Sequence, residues 1–266
     1  AVTTGIENTL IGYDAGDSIT TGNHNTVLGS QSLMANQTGT GNVAIGRAVL
    51  ESATHNYNTG VGYIALNGLS TGLNNTAVGF EAGKTITTDD YNSFFGSEAG
   101  RGASITGVNN TGIGYASGYS LTSGGNNAFL GLWSGFTTST GSSNVGVGGY
   151  ALRYNTTASA NTAVGYQSLT ANTTGAENTS VGKSSMIANT TGSYNVALGV
   201  NALDANTTAN NNSAIGFKSL TSNTTGSENV AVGSECLEAN TTGNENVAVG
   251  YRALEANTTG SYNTGL

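Results

Sequence analysis

The sequence predicts an all-β chain, a parallel β-solenoid of about sixteen coils of 17 residues each. Three observations predict it. A five-residue phrase recurs from end to end: Asn, then Thr, Val, Ser or Ala, then a mostly small residue, then an aliphatic, then Gly. Its Asn falls at 8, 25, 42, 58, 75, 92, 110, 127, 144, 161, 178, 195, 212, 229, 246 and 263, and thirteen of the fifteen intervals are 17. The residue before the Gly is apolar in every repeat, from Ile11 to Val249, and the Gly itself never changes from Gly12 to Gly250. A stack of coils requires such columns, and a disordered low-complexity chain does not.

One coil, Asn161 to Glu177, shows how each element is read, counting its Asn as position 1. Positions 1 to 5 form a short extended segment, in which alternate residues face opposite ways. The bulky column at position 4 is expected to fill the coil; it includes Ile45, Val78, Val164, Leu198, Val232 and Val249. The opposite face is Asn, a small residue and Gly, which lets another backbone approach. Position 8 is small, as at Ser168, and position 9 is a second core contact, as at Leu169. Ala171-Asn172-Thr173-Thr174-Gly175 then reads as a turn. A second class of repeat has Gly at position 9 (Gly16, Gly83, Gly100, Gly118, Gly135). Four of these carry a later aliphatic, Ile19, Ile86, Ile105 or Leu121, so the core contact has moved along the coil. The fifth has Phe136 as its candidate filler. A lone coil buries too little to offset ordering its backbone, at about 1–2 kcal/mol per residue, so a stack and a multi-chain bundle are expected.

Composition narrows function. Charged residues are only 8% of the chain and its net charge is −8. Residues in one column recur about 4.8 Å apart, where like charges repel and Asn or Thr can hydrogen-bond instead. No basic stripe is present to meet phosphates, so nucleic acid is not an expected partner. No apolar run of membrane-spanning length occurs, and no membrane insertion is expected. The repeat is interrupted at both ends, which reads as a single solenoid domain over 1–266 cut from a longer fibrous protein.

Catalytic, cofactor and metal sites are not expected. Cys236 shares the small column with Ser219 and Ala202. His24 and His55 lie in different repeats with no metal-ligand spacing. The five Asp are too few for a calcium-binding repeat, which needs one in every turn. The stretch Gly79 to Thr85 lacks the first Gly of a phosphate loop, since Val78 stands there. The Asn-x-Thr sequons at Asn155, Asn172, Asn189, Asn206, Asn223, Asn240 and Asn257 form one repeat column, a by-product of the period. The most aromatic repeats lie between 80 and 150. Phe94, Phe129, Trp133 and Phe136 are therefore the candidate binding patch.

The phrases Asn42 to Gly46, Asn195 to Gly199 and Asn229 to Gly233 resemble the Asn-Ser-Val-Ala-Ile-Gly type of motif in trimeric autotransporter adhesin heads. With Ala-Asn-Thr-Thr-Gly between them, they are also similar to repeats of phage tail-fibre and related virion proteins. The resemblance covers all 266 residues. It implies a left-handed parallel β-roll, three chains packed around an axis, and an extracellular adhesive rod on a virion or cell surface that engages a glycan or receptor. It also implies that the small column (Ala44, Ala197, Ala231, Ala248) packs between chains, while Ile45, Leu198, Val232 and Val249 fill each roll. Two other readings of the same repeat are an ice- or surface-binding solenoid, on an Asn172/Thr174 ladder, and a subunit of an end-to-end extracellular filament.

Overall fold

The computed structural model describes residues 2–102 and 104–266. Its described residues contain sixteen short strands and no helix, one strand per repeat phrase. They fall into two compact units, 1–127 and 128–266. The first holds seven strands, from β1 (Thr9–Ile11) to β7 (Thr111–Ile113), and the second holds nine, from β8 (Ala128–Leu130) to β16 (Thr264–Gly265). Within each unit every strand pairs in parallel with the strand of the next coil, in the register the repeat dictates. Thr162 lies beside Thr179, Ala163 beside Ser180 and Val164 beside Val181. Each unit is thus a parallel β-solenoid of 17-residue coils, as the period predicts.

Hydrogen bonding does not stop at the three-residue strands. Around the coil, Leu169 N–H donates to Ser185 O (3.0 Å), Thr173 N–H to Thr190 O (2.9 Å) and Glu177 N–H to Ser159 O (3.1 Å). The turns are therefore bonded from coil to coil much as the sheet is, and buried backbone groups find partners without helices or long strands.

The direction of the strand side chains corrects the sequence reading. The middle residue of each strand points inward: Ala44, Ala77, Ala163, Ala197, Ala231 and Ala248 are fully buried. The aliphatics beside them point outward. Leu198 is 47% exposed and Val249 41%, while Ile45, Val78, Val164 and Val232 are half-buried on the outer face. None of these six fills its coil, and the small column packs inside its own coil rather than against another chain. The reason is width. Where position 9 brings a Leu or Met into a 17-residue coil, the opposite wall leaves room only for Gly, Ala, Ser or Val at the middle of the strand.

Position 9 is held in the left-handed region in every complete coil. Leu169 has φ 51° and Leu203 has φ 53°, and both are fully buried. A side chain there costs about 1–2 kcal/mol of backbone strain, offset by burying a Leu at about 1.5–3 kcal/mol. Gly removes the strain but leaves space, and other columns fill it. In the second unit, Phe129 is fully buried and its ring lies where a Cβ on Gly135 would sit, 2.5 Å away. In the first, Phe94 occupies the same place beside Gly100 and also beside Gly112 of the next coil. Where the strand residue is small, at Ala77 and Gly112, Ile86 and Leu121 fill from position 12 and are fully buried, and beside Gly16 the space is shared by Leu10 and Ile19. The invariant phrase Gly has a separate cause. Gly165 has φ 132°, and a Cβ there would lie 2.5 Å from Gly182 O.

Two Asn columns line the interior. Position 1 holds Asn in every coil of each unit. Position 12 is a second ladder in the second unit: Asn172 Nδ2 donates to Asn155 Oδ1 (2.9 Å) and to Gly175 O (2.8 Å), and the pattern repeats to Asn257. In the first unit the same column holds Ile19, Asn36, Ala53 and Leu69. Asn36 is fully buried between neighbours that cannot bond it, and neither its Oδ1 nor its Nδ2 has a partner. Asn36→Ala copies position 12 of the next coil, Ala53, and removes both unpaired groups without adding volume beside Val27. It should raise stability by about 1–3 kcal/mol, read from urea unfolding; a loss of stability would contradict this account of the column.

Candidate functional site

Outward strand residues make an aliphatic face on the sheet of each unit. In the first unit Ile11, Leu28 and Ile113 are exposed; in the second, Leu130, Val145, Val196, Leu198, Ile215, Val247 and Val249 are exposed. These residues are ranked in columns by the same pairing that builds the sheet. Position 4 is the apolar column on the outer face of each unit's sheet, beside the Thr, Ser, Ala and Val of position 2. Sequence reasoning noticed the column and placed it inside the coil; strand alternation from the buried Asn was the signal that places it outside.

The four residues of the sequence-predicted patch separate in the structure. Phe94 and Phe129 are fully buried interior fillers and cannot meet a ligand. Trp133 and Phe136 are half-buried on the surface, with ring centroids 5.8 Å apart. They belong to a larger cluster that the sequence did not single out. Tyr150 meets Trp133 edge-on at 5.6 Å, and Tyr166 meets Tyr150 edge-on at 5.6 Å. Arg153 lies among the rings, its guanidinium carbon 4.4 Å from the Trp133 centroid, 4.8 Å from Tyr154 and 5.3 Å from Tyr150. Trp133 and Tyr150 both occupy position 7, which is left-handed in both (φ 53° and 63°). This shared backbone turn ranks their rings one coil apart.

Elsewhere two groups of charged side chains pair with one another. In the first unit, Glu81 is nearly buried and takes Lys84 Nζ at 3.2 Å together with the Arg101 guanidinium. An open cavity of about 410 Å³ beside them is lined by Lys84, Thr85, Arg101, Gly102, Tyr119 and Ser120. In the second unit Glu235, Glu238 and Glu255 bring carboxylate oxygens within 4.8 Å of one another. Arg252 reaches Glu235 (2.6 Å) and Glu255 (3.7 Å), and Lys218 reaches Glu238 (3.7 Å). Two cations among three carboxylates form an ion-pair network, and its donor set does not require a metal. Among the described residues no helix is long and apolar enough to cross a membrane.

The Asn-x-Thr column has its Asn turned inward. Asn172, Asn189 and Asn223 are fully buried, which removes them as glycosylation acceptors and leaves only Thr174 and its equivalents facing out. An ice-binding ladder of paired Asn and Thr is thus not presented on one face. Cys236 is also fully buried, where Sγ donates to Ala248 O (3.2 Å) and Ala253 O (3.5 Å). Ser185 Oγ makes the equivalent pair to Ala197 O (3.3 Å) and Ala202 O (3.4 Å).

The fold defines a class, the parallel β-solenoid repeat protein, here with an outward aliphatic column on its sheet. Compared with known proteins, the chain matches no family model, no curated protein and no solved structure.

Burial raises the Cys236 thiol pKa above its ordinary value, so little thiolate forms near neutral pH. Native Cys236 should react with a thiol reagent more than about tenfold slower than in urea. Cys236→Ser should change stability by less than about 1 kcal/mol, because the same two carbonyl positions accept a Ser hydroxyl elsewhere. Fast native labelling would contradict the interior placement.

Proposed function

We propose that this chain is a segment of a structural and adhesive fibre, homotrimeric and extracellular, that projects from a virion or cell surface and mediates attachment. The observation that carries the reading is the aliphatic face on the sheet of each unit. Outward Val, Leu and Ile in strand register offer no chemistry for catalysis, and burial against equivalent sheets of two further copies is the simplest way to remove them from water. The resemblance to adhesin-head and tail-fibre repeats supports the same assembly, with one change of roles. The large residues at position 4 meet the other chains, and the small residues at position 3 fill each coil.

Adhesion itself is supported by the exposed aromatic columns. Tyr63 and Phe80 stack with ring centroids 5.6 Å apart and an interplanar angle of 8°, and Tyr166 and Phe217 stand outward at the same position 6. Rings of this kind offer flat apolar surfaces to sugars or to a receptor.

Light scattering on the purified chain should give the mass of three chains of 26.5 kDa. Leu198→Asp with Val232→Asp places charges on the outer face and leaves the coil interior untouched. This variant should dissociate to monomer and keep its β-rich circular dichroism. A monomeric wild type would sink the trimer, and growing polydisperse assemblies would favour the end-to-end filament.

A further inference from the structure

We propose that the cluster around Arg153 is a binding site for a carboxylate-bearing sugar of an acidic glycan. The inference takes its biological setting from the adhesive reading, but its argument is local to the second unit. Of the seven Lys and Arg, Lys84, Arg101, Lys218 and Arg252 face carboxylates. Among the described residues Lys183, Arg47, which lies over Tyr63 and donates to its hydroxyl, and Arg153 form no ion pair. The Arg153 guanidinium is instead held by three aromatic rings, at 4.4, 4.8 and 5.3 Å. Its Nε is enclosed and has no acceptor. Aromatic faces attract a cation but accept none of its N–H donors in the way a carboxylate does. The chain therefore fixes a planar, permanently charged group whose outer Nη edge has no acceptor among the described residues, in a protein whose charge is −8.

An external anion completes this arrangement. A carboxylate matches the guanidinium plane with two parallel hydrogen bonds, which a tetrahedral sulfate reproduces less well. The surroundings argue for a sugar as the carrier. Tyr154 is 43% exposed and Tyr166 50%, and both lie within one ring contact of the Arg153 shelf. A pyranose whose carboxylate reaches that edge of the guanidinium can lay its C–H face on such a ring. The negative charge of the whole chain disfavours indiscriminate polyanion adsorption.

Trp133 is the only tryptophan, and its emission reports directly on the Arg153 shelf. The test titrates the full chain with a glucuronate-bearing hyaluronan tetrasaccharide. A neutral tetrasaccharide, a sulfated one and an oligo-glutamate serve as comparators. The expected result is a saturable emission change with the glucuronate sugar, at an affinity at least about tenfold above each comparator. Arg153→Gln should lower that affinity about tenfold or more, Arg153→Lys should keep part of it, and Lys183→Gln should leave it unchanged. Near-ultraviolet circular dichroism on each variant checks that the ring cluster persists. A Gln variant that binds as wild type overturns the proposal, as does absence of any titration. Equal binding of the sulfated sugar overturns the carboxylate assignment, and equal binding of oligo-glutamate overturns the sugar. Mass measured on the same samples separates this inference from the trimer. A monomer that binds leaves the site standing, and a trimer that does not bind removes the site alone.

Discussion

Everything in this fold depends on a buried Asn whose side chain is fully used. Asn178 Oδ1 accepts two hydrogen bonds from the next coil, from Asn195 N–H (3.0 Å) and from Asn195 Nδ2 (3.1 Å). Asn178 Nδ2 donates twice, to Asn161 Oδ1 (3.2 Å) and to Gly192 O (2.8 Å). Two donors and two acceptor lone pairs are the whole capacity of an Asn side chain. The ladder repeats from Asn8 to Asn127 in the first unit and from Asn144 to Asn263 in the second. Asp lacks the donors, Ser lacks the reach, and Leu would leave a backbone N–H and a turn carbonyl unpaired. The side chain fixes coil-to-coil register and closes the turn with one residue, which explains why its period is the most regular feature of the chain.

Once register is set by hydrogen bonds, the apolar interior is free to vary. Position 3 ranges from Gly146 to Phe129, position 9 from Gly to Leu, and position 12 from Asn to Ile. What holds is the volume enclosed per coil and its neighbour, as expected of close-packed interiors. Phe94 is flanked by Gly100 and Gly112, and Phe129 by Gly135 and Gly146. The irregular middle of the sequence is therefore a repacked interior as well as a change of surface.

The fold class, the strand positions and the parallel register were legible because a period is independent of which way a side chain points. Facing was not. Val164 and Leu198 are larger and more apolar than Ala163 and Ala197, so a rule that buries the larger column chose the wrong face. The Asn at position 1 could have decided it, since residues 1 and 3 share a face and four satisfied hydrogen bonds require an enclosed Asn. Phe94 and Phe129 were misread for the related reason that aromatics in a variable stretch suggest a surface. Trp133 and Phe136 were found, but Arg153, Tyr150 and Tyr154 were not. Their meeting depends on left-handed turns at position 7 that no local sequence signal marks in a non-glycine residue.

The Asn ladder is tested most directly at Asn195, in the middle of the second unit. Asn195→Asp keeps size and acceptors and removes only the donors, placing a charge where Asn178 Oδ1 and Ala209 O already point. Urea unfolding at neutral pH should show a loss of about 3 kcal/mol or more. Thr179→Ala, an outward residue on the same sheet, should change stability by no more than about 0.5 kcal/mol. An Asp variant as stable as wild type would contradict the ladder as the interaction that holds the coils in register.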